Sequence, residues 1–420
     1  MRALRAKLNN WQTLPSTIVW VRAFSGVIGL LLGLYYARYL GPLNRAVLTS
    51  IFLLNYFFSS IYLNSHNLEF KSKVQFGEQN EPIARLTNSI SKIFAYSILQ
   101  TIFFSVYLLR YFDTEAHLII LSFLYSVVVG LNYQIGILLL DTTRFRDYAL
   151  REMLLIFIQL VLLAYFTQLT NIGGVTAILS VLTLSNLFFL ALFFLTEPRD
   201  KLLYLYQIAL PQRLRRILKV GTESFKANVD VATNISIIYS LKVLIMFSFA
   251  PELFSPFILL YSLFSLPLTL SDGVTQLLLV RSSISRSTLR KYIISILSTE
   301  FAIGLSLLKW PKLVTSIVGN GWQFDSRTIC ASLGLTLAQT CYHFVFLQFS
   351  HSIVGHKRIF HMLCVMGLPN LGVILLIVFD EKSILNFTFT YIAGYSSFVI
   401  YTILQERKKY RKYRVVANET

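Results

Sequence analysis

The sequence predicts an all-α polytopic membrane protein, from its composition, its long apolar runs and the placement of its basic residues. Of the 420 residues, 55% are hydrophobic and only 14% are charged, whereas soluble domains carry roughly 25% charged residues. Nearly uncharged runs of about 20 residues, which cross ~30 Å of hydrocarbon as a helix, recur along the chain. The ten-residue alternation typical of membrane β-barrel strands is absent from the sequence.

These runs predict about twelve transmembrane helices, because a backbone in lipid must satisfy its own hydrogen bonds. The first run follows three basic residues, as in a signal peptide, but it contains Arg22 and has no convincing small-residue cleavage site. We therefore expect a retained first helix. The predicted spans are residues 14–36, 46–66, 91–109, 118–140, 153–169, 173–195, 224–249, 254–279, 292–310, 329–349, 359–379 and 384–404.

The basic residues predict the orientation of these spans. The formal net charge is +18. Of the 38 lysines and arginines, 29 fall in or next to the terminal segments and every second connection, and seven fall in or next to the alternate connections. Basic residues accumulate in cytoplasmic connections, so both termini are expected in the cytoplasm. This pattern explains the charge without a nucleic-acid partner.

The central part of the chain predicts a division into two lobes. Tyr39-Leu40-Gly41-Pro42 after span one and Ser248-Phe249-Ala250-Pro251 after span seven form a weak repeat, offset by half the chain. Parallel repeats of this kind are typical of transporters, with a site between them. Between the lobes, residues 209–219 predict an amphipathic helix that contacts anionic membrane lipids. The predicted parts are a six-helix lobe (1–196), a cytoplasmic linker (197–221), a second six-helix lobe (222–406) and a basic cytoplasmic tail (407–420).

Four ionisable residues are candidates for binding a charged substrate, because a charge inside a bilayer needs a partner or a water-filled cavity. Arg22 either extends to the headgroups or meets an anion in a cavity. Lys226 either pairs with Glu223 at the interface or contacts the substrate. Asp230 lies deeper and is expected to face the lumen. Lys242, near the outer end of its span, has the same two alternatives as Arg22.

A second set could couple transport to protons or sodium. Glu223, Asp272 and Glu300 are acids within or beside apolar runs, where each either takes up a coupling ion or has a structural partner. His343 is either a proton relay or a hydrogen-bonded packing residue. The sequence contains no phosphate-binding loop, metal-ligand cluster or catalytic constellation. It therefore predicts a transporter, not an enzyme, with no cofactor other than a possible coupling H⁺ or Na⁺.

Small and amide side chains predict how the helices associate. Ser25, Gly29 and Gly33 share one face of span one, and this smooth face is expected to pack closely against a neighbouring helix. Buried amides form hydrogen bonds between membrane helices. The amides expected to bridge helices are those of Asn55, Asn132, Gln134 and Asn370.

Four short stretches resemble a known family. Ala37-Arg38-Tyr39-Leu40-Gly41-Pro42 resembles the R-x-LGP signature of bacterial polysaccharide flippases of the multidrug/oligosaccharidyl-lipid/polysaccharide (MOP) superfamily. Three further stretches are similar to segments of the same family, in the same order along the chain. They are Thr143-Arg144-Phe145-Arg146-Asp147-Tyr148, Ile217-Leu218-Lys219-Val220-Gly221 and Ile317-Val318-Gly319-Asn320-Gly321-Trp322-Gln323-Phe324.

The resemblance implies two six-helix lobes around a central cavity that opens alternately to each side of the bacterial cytoplasmic (inner) membrane. It implies an undecaprenyl-pyrophosphate-linked oligosaccharide as cargo, for O-antigen (lipopolysaccharide), capsule or exopolysaccharide synthesis. A polysaccharide polymerase and a chain-length regulator are then possible partners. In this interpretation Arg22 and Lys226 hold the pyrophosphate or acidic sugars at the cytoplasmic opening, and Asp230, Asp272 or Glu300 binds the coupling ion.

Three alternatives are compatible with parts of the sequence. A multidrug or cation antiporter of the same superfamily would share the architecture, but no strongly acidic cavity cluster is visible. A membrane glycan polymerase or ligase has a similar size and basicity, but it needs a large periplasmic loop that the predicted topology does not provide. A membrane scaffold without transport activity is the third alternative.

Overall fold

The computed structural model describes residues 2–64, 82–112, 115–141, 145–169, 174–196, 229–268, 286–319, 321–349, 360–381 and 383–419. Within these ranges the chain is almost entirely helical and has no strand. The helices are α1 (Arg2–Ser59), α2 (Pro82–Tyr111), α3 (Ala116–Asp141), α4 (Phe145–Leu169), α5 (Gly174–Thr196), α6 (Val229–Ser248), α7 (Pro251–Phe264), α8 (Arg286–Lys309), α9 (Pro311–Val318), α10 (Ser326–Phe349), α11 (Leu368–Val378) and α12 (Ile384–Glu419). Two π-helical turns, Ser60–Asn64 and Leu363–Gly367, extend α1 and precede α11.

The predicted all-α membrane class is confirmed. In the described ranges, eight helices are long and apolar enough to cross a membrane, and two shorter apolar helices accompany them. Each of the twelve predicted spans overlaps a helix of the structure. Spans one and two both lie within α1. Helix α9 is a short connecting helix of eight residues, and it was not predicted as a span. The periodicity of apolar runs therefore located the helices, although it set their ends only to within several residues.

Helix α1 contains two spans joined by a reversal at Gly41. A straight helix of 58 residues would be about 87 Å long, which far exceeds the hydrocarbon thickness. Gly41 has φ 69° and ψ 177°, a conformation that suits glycine. Nη2 of Arg45 lies 3.8 Å from where a Cβ on Gly33 would be, which requires the chain to fold back. We call residues 2–40 α1a and residues 42–59 α1b.

The chain forms two compact units. The N-terminal unit holds residues 1–255 and 272–277, and the C-terminal unit holds residues 256–271 and 278–420. In the first, α2 packs on α3, α5 packs on α3 and α4, and α6 packs on α1 and its π-helical turn. In the second, α10 packs on α8 and α12, and α11 packs on α12. The predicted division at 197–221 stays a prediction, because that segment lies outside the described residues.

A seam of hydrogen bonds joins α2 to α3 inside the N-terminal unit. Gln100 donates to Oγ of Ser122 at 2.7 Å, and Ser97 donates to Oγ of Ser126 at 3.0 Å. One end of the seam reaches α1b through Ser126 and Asn55, at 2.8 Å. Hydrogen bonds between neutral side chains hold helices together in hydrocarbon, where the hydrophobic effect does not.

The predicted amide bridges are confirmed. Gln134 accepts from Ser89 at 3.3 Å, Asn132 donates to Asn186 at 2.6 Å, and Asn370 accepts from the Tyr391 hydroxyl. Together with the bond from Ser126 to Asn55, these contacts each join two different helices. The four amides are therefore packing residues of the two units.

One sequence-based expectation is wrong in the part of the chain that the structure describes. The face of Ser25, Gly29 and Gly33 is not packed closely along its length, since a Cβ on Gly29 would meet no described atom within 4 Å. The residue types were known, but the direction in which the helix presents them depends on tertiary packing.

Replacing Gly394 by alanine is expected to destabilise the C-terminal unit by about 1–3 kcal/mol, through overpacking. Its Cβ would lie 2.2 Å from the carbonyl oxygen of Cys364 and 2.6 Å from Cγ of Pro369. Backbone and a proline ring cannot rotate away, so α12 would have to move off the π-helical turn. The melting temperature of the purified protein in detergent measures the effect.

Gly367→Ala is the matched control, since a Cβ there would meet Cδ2 of Leu363 at 3.5 Å, an ordinary contact. This control should melt close to the wild type. Equal melting temperatures for the two variants would contradict the close contact described for Gly394.

Candidate functional site

Lys242 on α6 carries a buried positive charge in the N-terminal unit. Its side chain is 6% exposed, and Nζ lies 5.0 Å from the ring centroid of Tyr239, one turn earlier on the same helix. An ammonium group over an aromatic face is stabilised by the quadrupole of the ring. The structure therefore favours an inward-facing lysine over one that extends to the headgroups.

Tyr239 is itself stacked on Tyr56 of α1b, so Tyr239 contacts both the lysine and a second ring. The two ring centroids are 6.2 Å apart, and the ring planes differ by 12°. Tyr56 is 54% exposed. An exposed aromatic ring offers a flat apolar surface, and Lys242 belongs to the same cluster. We call Tyr56, Tyr239 and Lys242 the cation–aromatic stack.

The buried charges of the N-terminal unit are positive in the part that the structure describes. Lys92 and Lys242 are the buried lysines, and no aspartate, glutamate or arginine of this unit is buried to the same degree in the described ranges. Sequence reasoning selected Lys242 but missed Lys92. Lys92 lies one residue inside a predicted span, and this position could have identified it as a buried lysine.

Arg151 on α4 is mostly buried but has a structural role. Its guanidinium donates to Oδ1 and to the main-chain oxygen of Asn132, at 3.1 and 2.6 Å, and to Oε1 of Glu152 at 2.8 Å. Gly136 leaves room for it, since a Cβ there would lie 2.5 Å from Nη1. A charge satisfied in this way holds α4 against α3 and is not available to a ligand.

Glu300 on α8 is the buried acid of the C-terminal unit. It is fully buried, and Oε1 accepts a hydrogen bond from Thr340 of α10 at 2.8 Å. Oε2 has no hydrogen-bond partner among the described residues. A carboxyl group with one oxygen satisfied and one unsatisfied can take up a proton or a small cation at the second oxygen.

His343, the other predicted ion-coupling residue described in the structure, lies three residues after Thr340 on α10. It is half-buried, and its ring packs edge-on against Phe344, with centroids 5.7 Å apart. No hydrogen bond or ion pair joins His343 to Glu300 in the described structure.

The structure instead places His361 in a buried polar network that sequence reasoning missed. Nε2 of His361 lies 2.8 Å from the Tyr342 hydroxyl, and the rings stack with centroids 5.8 Å apart. Gln339 accepts from Tyr261 and donates to the Tyr395 hydroxyl, at 3.2 Å for the second bond. The sequence could have indicated this network, because four rings that carry a hydroxyl or an imidazole nitrogen lie in apolar spans and are buried.

The remaining predicted site residues have no described side chain. Arg22 lies on α1a and Asp230 in the first turn of α6, and only their backbone positions are described. Glu223, Lys226 and Asp272 lie outside the described residues, as does the predicted amphipathic helix at 209–219. Their roles stay predictions.

No protein-family model and no curated protein sequence matches this chain. Solved structures with a similar overall course include a multidrug resistance MATE family transporter of the MOP superfamily. In its outward-facing conformation the identity is 14%, 94% of each chain is covered and the TM-score is 0.49. In its inward-facing conformation the identity is 14%, the coverage is 95% of this chain and 94% of that chain, and the TM-score is 0.48.

Another similar structure is a MOP superfamily transporter from Pyrococcus furiosus, described as having a binding pocket of reverse polarity that suggests a different function. The identity is 13%, the coverage is 94% of this chain and 95% of that chain, and the TM-score is 0.46. At this level of similarity these proteins do not assign a substrate to the chain.

Proposed function

We propose that the protein is a flippase for lipid-linked oligosaccharides that carry negative charge. In this proposal the cargo is an undecaprenyl-pyrophosphate-linked repeat unit, and the protein moves it across the bacterial cytoplasmic membrane with both termini in the cytoplasm. The product supplies surface polysaccharide synthesis. The prenyl tail stays in lipid while the glycan and pyrophosphate cross a polar interior.

The observation that carries the proposal is the cation–aromatic stack. Sugar rings present C–H faces that pack against aromatic rings such as Tyr56, and phosphate or uronate groups pair with cations such as Lys242. A ligand with apolar faces and negative groups satisfies both features.

A cationic-drug antiporter of the MOP superfamily is the rival proposal. The buried carboxyl group of Glu300 is compatible with it, since an acid can exchange a proton for a cation. The cation–aromatic stack favours an anionic cargo over this rival, because a lysine beside an aromatic ring attracts negative groups.

Gene deletion in the native host tests the proposal. We expect loss of surface polysaccharide and accumulation of the lipid-linked repeat unit on the cytoplasmic side, with both effects reversed by the wild-type gene. Unchanged glycan together with increased sensitivity to cationic dyes would instead support the antiporter. Unchanged glycan and unchanged dye sensitivity would contradict both transport proposals.

A further inference from the structure

Two polar groups at the reversal between α1a and α1b lack an acceptor. Nη1 of Arg45 and the hydroxyl of Tyr36 are both shielded from solvent and have no hydrogen-bond partner among the described residues. The Tyr36 side chain is 5% exposed. An unsatisfied buried donor costs about 1–3 kcal/mol, more when it is charged, so such a pair points to a missing partner.

The two groups belong to one place in the fold. The guanidinium carbon of Arg45 lies 6.0 Å from the centroid of the Tyr36 ring. Nη2 lies 3.8 Å from where a Cβ on Gly33 would be, so the guanidinium rests against α1a just before the reversal. The turn at Gly41 is what brings the first residues of α1b back onto α1a.

The missing partner is an acceptor with negative charge. No carboxylate of the described structure lies within 4.0 Å of Arg45, whereas Arg151 of the same unit has both Glu152 and Asn132. A guanidinium presents several N–H donors in a plane and matches the oxygens of a phosphate or pyrophosphate. A tyrosine hydroxyl beside it can donate one more hydrogen bond.

There is room for such a group along α1a. A Cβ on Gly29, one turn from Gly33, would meet no described atom within 4 Å. Oγ of Ser25, one turn further, is shielded and has no described hydrogen-bond partner. The face that was expected to pack against a helix therefore has open space at Gly29, between the shielded hydroxyl of Ser25 and the guanidinium of Arg45.

We propose that Arg45 and Tyr36 form a binding site for the phosphoryl group of a lipid. The proposal rests on the proposed function where it identifies this group with the carrier pyrophosphate of the cargo. In the predicted topology the Gly41 turn faces away from the cytoplasm. The site then holds the phosphoryl group at the outer side, after the glycan has crossed, while the phosphoryl group of a phospholipid is the other source of the same chemistry.

Binding to purified full-length protein in detergent, measured by native mass spectrometry, tests the site. The probes are a polyprenyl pyrophosphate without glycan, the corresponding polyprenol, and phosphatidylglycerol. Arg45→Ala should weaken binding of the pyrophosphate lipid at least tenfold, and Arg45→Lys should restore it in part. Tyr36→Phe, which keeps the ring under the guanidinium and removes only the hydroxyl, should weaken binding about threefold to tenfold.

Arg110→Ala is the matched control, because Arg110 is an exposed arginine whose guanidinium carbon lies 5.2 Å from the ring centroid of Tyr111. It removes the same charge and the same kind of aromatic contact, and should leave binding unchanged. If Arg45→Ala does not fold, the binding measured with Tyr36→Phe tests the site. Weakened binding of phosphatidylglycerol alone would identify the phospholipid headgroup as the source of the phosphoryl group.

Unchanged binding of both phosphorylated lipids in Arg45→Ala and Tyr36→Phe would overturn the site. Equal weakening for the polyprenol, which has no phosphoryl group, would also overturn it. Because these probes carry no sugar, the result is independent of the glycan phenotype of a gene deletion. Failure of the site and failure of the proposed function are therefore separate outcomes.

Discussion

Replacement of Lys242 by glutamate is expected to reduce surface glycan to about one hundredth of the wild-type amount or less. The lysine contributes a buried charge over Tyr239. A hydrogen bond from a charged group is worth about 1.5–3 kcal/mol, and 1.4 kcal/mol corresponds to a tenfold change in affinity. Glutamate removes this attraction and adds repulsion against an anionic cargo.

Two further substitutions separate charge from packing at this position. Lys242→Ala should lower glycan output about tenfold, because it loses the attraction without adding repulsion. Lys242→Arg should retain most of the output, since arginine keeps the charge and also stacks on aromatic rings. The measurement is surface polysaccharide per cell, normalised to the amount of protein in the membrane.

Lys291→Ala supplies the matched control, because Lys291 is exposed on α8 and its loss changes the net charge by the same amount. It should export glycan normally. Normal export by Lys242→Ala would remove this residue from the mechanism. Increased efflux of a cationic dye by Lys242→Glu would favour the antiporter, since the substitution would then have relieved repulsion of the dye.

Replacement of Glu300 by glutamine is expected to reduce transport at least tenfold without loss of the fold. The amide oxygen can still accept the hydrogen bond from Thr340, and the amide has nearly the shape of the carboxyl group. What glutamine cannot do is gain and lose a proton or bind a cation by charge. The melting temperature should stay equal to that of the wild type or rise, because a buried ionisable group is removed.

The measurement is transport by the purified protein in vesicles, with an imposed proton gradient and then a sodium gradient. Stimulation of the wild type by one gradient, absent in Glu300→Gln, would identify the coupling ion. Glu252→Gln is the control, since Glu252 is an exposed acid in the first turn of α7. If Glu300→Gln responds to the gradients as the wild type does, Glu300 has only a structural role.

The helices of the fold follow from local sequence, because a single segment in hydrocarbon can satisfy its backbone hydrogen bonds only as a helix. Apolar runs therefore predicted the spans, including the two that share α1, between which Gly41 adopts φ 69°. The same reasoning predicted the helix-bridging amides, since an amide in lipid needs a partner.

The candidate sites were predicted less completely, because they depend on which face of a helix meets which neighbour. Lys242 and Glu300 were selected as lone charges in apolar runs, and the structure gives each a specific environment. Arg45 falls between the first two predicted spans, and nothing local shows that the chain folds back onto Gly33. His361 went unnoticed, because its partners Tyr342 and Phe398 come from other segments.

The seam between α2 and α3 has a consequence for how the protein is made. The two helices are separated by only four residues, 112–115, and their serines and glutamines form hydrogen bonds with one another. Inserted singly, each helix would bring several unpaired hydroxyl and amide groups into lipid, at a cost for each group. Inserted together as a hairpin, α2 and α3 shield these groups from lipid throughout insertion, because the groups bond to one another. The translocon should therefore release α2 and α3 as one unit, and neither helix alone should integrate efficiently when it follows a reporter domain.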